Sequence, residues 1–199
     1  DLAQIESSKA FTRDLLSKYN ISGGPKYKTF SSIIGVSEFL SELGKDYVVK
    51  FDGLAGGKGV KVSGDHLHSH RDALDYCSEI ITNKGTFVIE QKFVGEEFSL
   101  MSFCDGETLK HMPIVQDHKR AFENDTGRNT GGMGTYSDVN HSLPFLNESD
   151  VNEAKSINLK TAKALKEEFN EGYVGILYGG FIATKNGVKL IEYNARFGD

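Results

Sequence analysis

The stretch Tyr178-Gly-Gly-Phe-Ile-Ala-Thr-Lys-Asn-Gly-Val-Lys-Leu-Ile-Glu-Tyr-Asn-Ala-Arg196 predicts two strands joined by a tight turn. Its central Lys-Asn-Gly is a strong hairpin signal, because Asn-Gly tolerates the positive φ angles of such turns. In the second strand, Val188–Tyr193, side chains alternate between faces. Glu192, Asn194 and Arg196 are therefore expected on one face. Two oxygen ligands suit Mg²⁺ or Mn²⁺, and a guanidinium suits phosphate or carboxylate.

Hydrophobic spacing elsewhere predicts helices that alternate with further strands and hairpins. The expected helices are Glu6–Tyr19, Ser37–Leu43, a helix capped by Ser69 with Asp72 that runs to Thr82, and Ser149–Phe169. The expected strands are Tyr27–Phe30, Tyr47–Phe51, Val60–Val62, Thr86–Gln91, Glu97–Cys104, Thr108–His111, Tyr178–Thr184 and Val188–Tyr193. Hairpins interleaved with helices predict an α+β fold with antiparallel sheets rather than a doubly wound parallel sheet.

Composition limits the classes of function. The 199 residues suffice for one substantial domain or two small lobes, and the net charge of −5 argues against a non-specific nucleic-acid surface. No apolar run approaches the roughly 20 residues of a membrane helix. Cys77 and Cys104 lack CxxC spacing, so buried free thiols in a cytoplasmic protein are favoured over a disulfide or a redox pair.

A first glycine cluster follows a predicted strand, in Lys50-Phe-Asp-Gly-Leu-Ala-Gly-Gly-Lys-Gly-Val60. It is not a Walker A loop, because Gly59 replaces the hydroxyl residue and a β-type segment follows. A flexible hairpin loop with Lys50 before it and Lys58 inside it could fold over a triphosphate, with backbone N–H groups as donors. A simple tight hairpin is the alternative.

Two further segments carry polar groups in suggestive places. Glu90–Glu97 joins two strands like a hinge, whose backbone could face a purine edge while a carboxylate accepts from ribose hydroxyls; a charged surface loop is the alternative. Gln116–Arg120 precedes Asn129–Gly134 within the long polar stretch 113–147, and such stretches in compact domains are usually functional or disordered. The two suggest a pocket for a small zwitterionic or phosphorylated substrate, with a solvated loop as the alternative.

Together, Lys50–Val60, the Glu90–Glu97 hinge and Glu192-Tyr-Asn194 resemble the ATP-grasp superfamily. The resemblance covers essentially the whole chain. It implies two lobes with ATP held between them: residues 1–90 as the small lobe with its leading helix, and residues 91–199 as the large lobe.

Within that superfamily, Gln116–Arg120, Asn129–Gly134 and Asn194–Asp199 are similar to the phosphoribosylamine–glycine ligase (glycinamide ribonucleotide synthetase) family. The opening Ser8–Thr12 is similar to the segment where that family's ATP-grasp portion begins. One departure is Arg128, where the family usually has proline. The family also carries domains before and after this portion, so the chain is expected to be a fragment that lacks both.

The resemblance implies that ATP, glycine and 5-phosphoribosylamine give glycinamide ribonucleotide, ADP and phosphate, a step of purine biosynthesis. It assigns nucleotide binding to Lys50, Asp52, Gly56, Gly57, Lys58, Gly59, Glu90, Gln91, Phe93 and Glu97. It assigns substrate binding to Gln116, Asp117, His118, Lys119, Asn129, Thr130, Gly131, Gly132 and Met133. Glu192 and Asn194 are implied as ligands of Mg²⁺ or Mn²⁺, and Arg196, Lys119 and Asp117 as catalytic residues.

Other functions stay open from the sequence. A different carboxylate–amine or carboxylase-type ATP-grasp ligase is one, and a nucleotide-binding module without activity of its own is another. His66, His68 and His70 have metal-compatible spacing on a strand, yet they lie in a polar segment before a helix, which favours a solvated turn over a zinc site. No nucleic-acid or membrane partner is expected.

Overall fold

The computed structural model describes residues 2–56, 58–124 and 126–198, without the side chain of Asn129. The helices are α1 (Gln4–Ser7), α2 (Lys9–Lys18), α3 (Val36–Leu43), α4 (His70–Thr82) and α5 (Glu148–Phe169), with a 3₁₀ turn at Val139–His141. The strands are β1 (Tyr27–Phe30), β2 (Tyr47–Phe51), β3 (Val60–Val62), β4 (Phe87–Gln91), β5 (Glu96–Asp105), β6 (Leu109–His111), β7 (Gln116–Asp117), β8 (Arg120–Phe122), β9 (Thr126–Asn129), β10 (Thr135–Tyr136), β11 (Val174–Thr184) and β12 (Gly187–Asn194).

Two four-stranded antiparallel sheets organise the chain, as the hairpin signals predict. The first has the order β1-β4-β2-β3 and packs against α3 and α4 around a core that includes Tyr47, Phe87 and Ile89. The second has the order β12-β11-β5-β6 and packs against α5, with Leu100 and Phe181 in its core. The α+β prediction is confirmed.

The two leading helices belong to the second core, although they precede the first sheet in sequence. Ile5, Leu15 and Leu16 are buried with residues of the second sheet. The residues of the first core lie between Phe30 and Ile89, and those of the second resume at Phe98, so the change of core lies close to the predicted boundary between residues 90 and 91. The division into lobes 1–90 and 91–199 remains a prediction, and the leading helices contact the later part.

The prediction of one helix over Glu6–Tyr19 was wrong at its start. Ser8 is extended, with φ −129° and ψ 116°, and separates α1 from α2. Its side chain accepts a hydrogen bond from the amide of Phe11, which caps α2. The break therefore supplies an N-cap, and it also places Ser8 beside the first glycine cluster.

A β-bulge decides which way the side chains of β12 point. Gly180 pairs with Glu192 but Phe181 pairs with Leu190, so Ile191 is an extra residue. Strict alternation would place Glu192 on the same face as the buried Leu190. The extra residue shifts the alternation, so that Tyr193 enters the core and Glu192 and Asn194 remain partly accessible.

Candidate functional site

The site forms around the end of β12, where Glu192 and Asn194 lie on the accessible face created by the bulge. The strand ends at Asn194, so Arg196 lies beyond it rather than on it. Arg196 Nε is 3.4 Å from Glu6 Oε1, and its Nη1 donates to the Phe197 carbonyl. Two oxygen-bearing side chains and a nearby guanidinium are thus present, but the strand itself presents only the first two.

A buried ion cluster connects the first sheet to this strand. Arg13, Lys50 and Glu90 are each less than 5% exposed, and both cations pair with the Glu90 carboxylate. The Lys50 ammonium also donates to the Ile191 carbonyl at 3.0 Å, directly before Glu192. Burial by itself would raise the pKa of Glu90, but Arg13 and Lys50 more than offset it, so this pKa lies below its ordinary value.

The first glycine cluster is anchored to the start of α2. Asp52 accepts hydrogen bonds from the Ser8 hydroxyl at 3.2 Å and the Ala10 amide at 3.1 Å. The Lys9 ammonium donates to the Gly53 carbonyl at 2.8 Å. The root of the loop is therefore held, and the Asp52 carboxylate faces α2 in this structure.

The tip of that loop is exposed. Phe51 and Gly59 close the hairpin with a 2.8 Å backbone hydrogen bond, and Lys58 extends into solvent beyond it. Gly56 adopts a φ of +53°, a conformation that glycine adopts without strain. Gly57, which the family resemblance assigns to the nucleotide, lies outside the described residues.

The hinge between β4 and β5 carries the residues that the family resemblance assigns to binding of adenine and ribose. Gln91 and Glu97 are exposed at its two ends, and Phe93 is half-buried between them. The Gln91 amide donates to the Lys26 carbonyl at 2.8 Å. Glu90 differs from these three, because its carboxylate is buried in the ion cluster and only its backbone remains near the hinge.

Gly95 packs directly on β11 within this hinge, and Gly95→Ala is expected to lower the free energy of unfolding by about 1–3 kcal/mol. A Cβ there would lie 1.9 Å from the Ala183 carbonyl oxygen, and backbone cannot rotate away. Urea unfolding followed by circular dichroism measures the change. Gly24→Ala is the control, since its Cβ would meet only Leu16 Cδ1 at 3.7 Å. Equal stability of the two variants would contradict the steric argument.

The predicted substrate segments form a small β-structured pocket. β7 pairs with β10, and β8 pairs with β9. Asp117, Gly131, Gly132, Gly134 and Thr135 line an open cavity of about 460 Å³. Such a volume lies in the range of small-molecule pockets.

Backbone and aromatic contacts hold the walls of this pocket. The Met133 amide donates to the His118 carbonyl at 2.7 Å, and the Thr130 hydroxyl donates to the Lys119 carbonyl at 2.9 Å. Tyr136 stacks on the His118 ring with centroids 5.8 Å apart, and its hydroxyl donates to Gln116 Oε1 at 2.9 Å. The sequence carries no signal for Tyr136, because its contacts with His118 and Gln116 arise from the pairing of β7 with β10. The assignment of the Asn129 side chain lies outside the described residues.

Lys119 lies beside this pocket, and its pKa depends on charges from the pocket, from the β4–β5 hinge and from β12. Its ammonium is 3.5 Å from Asp117 Oδ2. Burial by itself lowers the pKa of Lys119, but Tyr178 and the carboxylates of Asp117, Glu192 and Glu97 more than offset it, so the pKa is raised. Carboxylates from the hinge, the substrate segment and β12 therefore all raise the pKa of one cation.

Across 2–56, 58–124 and 126–198, no three His, Cys, Asp or Glu side chains group closely enough to hold a metal by themselves. His66 Nδ1 instead accepts from the Val62 amide at 3.3 Å. Over the same residues, none of the helices combines the length and apolarity required to cross a bilayer.

The sequence profile of the phosphoribosylglycinamide synthetase ATP-grasp (A) domain matches residues 7–199. The phosphoribosylamine–glycine ligase of Methanosarcina acetivorans is 51% identical over 197 residues, which cover 99% of this chain and 44% of that protein. The ligase of the same name from Methanobrevibacter smithii is also 51% identical, over 99% of this chain and 46% of its own length. The chain thus spans about half the length of the curated relatives it matches.

Solved structures of ligases also superimpose on this chain. The phosphoribosylamine–glycine ligase of Thermotoga maritima superimposes with a TM-score of 0.87 at 29% identity, covering all of this chain and 49% of its own. A D-alanine–D-alanine ligase from Bacillus anthracis superimposes with a TM-score of 0.68 at 19% identity, over 96% of this chain and 57% of its own, which shows a shared fold alone. The profile match over residues 7–199 shows that the chain belongs to the phosphoribosylglycinamide synthetase family and corresponds to its ATP-grasp (A) domain.

Proposed function

We propose that this chain binds ATP with Mg²⁺ or Mn²⁺, and that the protein containing it joins glycine to 5-phosphoribosylamine in purine biosynthesis. The observation that carries the proposal is the 3.0 Å contact between the Lys50 ammonium and the Ile191 carbonyl. This contact brings Lys50, a lysine of the first sheet that could bind phosphate, to the strand that presents Glu192 and Asn194. A nucleotide phosphate at this junction would lie near the Lys50 ammonium and near a metal ion held by Glu192 and Asn194.

The nucleotide would lie between the two sheets. Lys50 and Lys58 would contact its phosphates, with Gly56, Gly57 and Gly59 as a covering loop of backbone donors. The hinge backbone from Glu90 to Phe93 would face adenine, and the Glu97 carboxylate would accept from the ribose. Asp52 would contribute to nucleotide binding by holding the base of the loop in place, because its carboxylate accepts hydrogen bonds from Ser8 and Ala10 at the start of α2.

The donor set at β12 fits a hard divalent cation. Glu192 and Asn194 supply two oxygen ligands, and Mg²⁺ is commonly bound by one or two protein oxygens together with substrate phosphates. When bound, the cation would neutralise developing charge on the phosphates. Arg196, just beyond the end of the strand, would add a guanidinium for a transferring phosphoryl group.

The pocket beside Lys119 would hold the other substrates. Asp117 lines this cavity together with Gly131, Gly132, Gly134 and Thr135, and the rest of Gln116–Lys119 and Asn129–Met133 would act from beside it. Asp117 would attract the amino group of a zwitterion, and Lys119 its carboxylate. Positioning the two reactants in this way is the main catalytic contribution such a site can make.

The proposed ligation would take place in two steps. A glycine carboxylate oxygen attacks the γ-phosphorus of ATP, the bond to the β-phosphate oxygen breaks, and ADP leaves. The amine of phosphoribosylamine then attacks the carbonyl carbon of glycyl phosphate, the carbon–oxygen bond to phosphate breaks, and a proton is released. Activation is needed because a free carboxylate is a poor electrophile, and phosphoryl transfer needs positioned charges more than a protein nucleophile.

The cytoplasm is the proposed location, since Cys77 and Cys104 are both free and buried. The protein would also contain the segments that make its relatives about twice as long. We expect the isolated chain to bind nucleotide but to turn over little, because those segments would complete the substrate site.

A glycine-dependent ADP release assay on the intact protein tests the proposal. With phosphoribosylamine present, omission of glycine should abolish ADP release, and D-alanine should not replace it. ADP release that ignores glycine would contradict the ligase, and stimulation by another carboxylic acid would favour a different ATP-grasp ligase. Binding of ATP without any turnover would favour the non-catalytic alternative.

A further inference from the structure

Arg13 has no assigned part in nucleotide binding, yet it contacts both sides of the junction. From α2, its Nε and Nη2 donate to the two oxygens of Glu90 at 2.8 and 3.1 Å. Its Nη1 donates to the Leu190 carbonyl at 3.2 Å, and Nη2 also donates to the Ile191 carbonyl at 2.5 Å. One guanidinium, 3% exposed, thus binds a carboxylate of β4 and two carbonyls beside the bulge of β12.

The charges of the cluster do not balance. Two cations, Arg13 and Lys50, meet one anion, Glu90, and all three are buried. The planar fork of Arg13 matches the carboxylate with two parallel hydrogen bonds, which a lysine cannot do. An ammonium has three donors, and the described contacts of Lys50 go to Glu90 and the Ile191 carbonyl. Among the contacts of the described residues, the cluster is therefore left with one Lys50 donor and one net positive charge.

The position of Arg13 also links it to the proposed metal ligand. A cavity of about 10 Å³ lies against Arg13, and Lys9, Ile191 and Glu192 are among the residues that line it. The carbonyls that Arg13 holds belong to Leu190 and to the bulged Ile191, the two residues that precede Glu192. Any movement of Arg13 would therefore change the positions of both the Lys50 ammonium and the Glu192 side chain.

We propose that Arg13 is a positioning residue, resting on the proposed function: it neutralises Glu90 so that the charge of Lys50 remains available to nucleotide phosphates, and it fixes the bulge that aims Glu192. Without Arg13, the Lys50 ammonium alone would neutralise Glu90. The cluster would keep a balanced ion pair and remain compatible with folding, but its net charge would fall from +1 to zero. Affinity for polyphosphates would then fall, while recognition of the adenine base would not.

The test is nucleotide binding by the full chain, measured by calorimetry with Mg-ATP, Mg-ADP and adenosine. For Arg13→Met, we expect Mg-ATP and Mg-ADP affinity to fall about 10- to 100-fold, the range of one charge-assisted interaction, and adenosine affinity to change less than about 3-fold. Arg13→Lys restores the charge without the fork and should recover part of the Mg-ATP affinity. Arg71→Met is the control, because Arg71 is an exposed arginine that pairs only with Asp75 among the ion pairs of the described residues.

The outcomes separate this inference from the proposed function. If the unmodified chain binds no adenine nucleotide, the proposed function fails and the inference fails with it. If it binds Mg-ATP and Arg13→Met weakens ATP and adenosine alike, Arg13 has only a structural role. Unchanged Mg-ATP affinity in a folded Arg13→Met variant would also overturn the inference while leaving the proposed function intact.

Discussion

Glu90→Gln is expected to lower the free energy of unfolding by about 3–5 kcal/mol, the cost of removing one partner from a buried ion pair. The carboxylate is enclosed by Arg13 and Lys50, and an amide would leave both cations without a counter-charge. Urea unfolding followed by circular dichroism measures the loss, since the chain has no tryptophan for fluorescence. The same substitution at Glu42, in an exposed pair with Lys26, should cost less than about 1 kcal/mol.

The pH dependence of this stabilisation has a defined sign. The pKa of Glu90 in the folded chain is lower than the ordinary value of 4.5. The stabilisation is therefore present above about pH 4.5 and is lost as the pH falls through the lowered value. Glu90→Gln should flatten the acid limb of the stability curve relative to the unmodified chain.

A triple replacement gives the opposite outcome. Arg13→Met, Lys50→Met and Glu90→Leu together remove all three charges, and such apolar replacements of buried ion clusters are often neutral or stabilising. We expect this variant to recover most of the stability lost in Glu90→Gln while it loses Mg-ATP binding. If Glu90→Gln were no less stable than Glu42→Gln, the cluster would not hold the two sheets together.

Much of the fold was predictable because its signals are local. Ser69 with Asp72 forms the expected capping box of α4, and the β5–β6 hairpin turns at Asp105-Gly106. The hairpin at Gly187, with a φ of +86°, also follows the sequence. Each feature is fixed by residues only a few positions apart, so propensity and turn chemistry suffice to predict it.

Other features could not be predicted because they depend on contacts between distant segments. Arg13 and Glu90 are 77 positions apart, and nothing near either residue indicates the pair. The bulge at Ile191 arises from pairing with β11, yet it determines that Glu192 faces outward. Period-two alternation predicted correctly that Glu192 and Asn194 share a face, but it could not choose between the core face and the open one.

The candidate site divides in the same way. Residue chemistry predicted Lys50, Glu192 and the Gln116–Arg120 segment as site residues. The structure places the Lys50 ammonium against the Ile191 carbonyl, next to Glu192, and the carboxylate of Glu192 contributes to the raised pKa of Lys119. It does not place Arg196 on the strand, and it turns Asp52 toward α2. These two depend on the end of a strand and the start of a helix, where sequence patterns define positions least well.

Glu192→Gln is expected to lower the kcat of the intact protein by about 10²- to 10³-fold, because the amide keeps one oxygen but removes the negative charge that would hold the divalent cation. Higher Mg²⁺ concentrations should recover part of the activity, since the lost charge weakens cation binding more than it disturbs the fold. Steady-state ADP release over a Mg²⁺ titration measures both effects. Glu167→Gln, on the exposed face of α5, is the matched control and should behave like the unmodified protein. A Glu192→Gln variant with unchanged kcat and Mg²⁺ dependence would exclude Glu192 as a metal ligand and would leave the bulge of β12 without its proposed purpose.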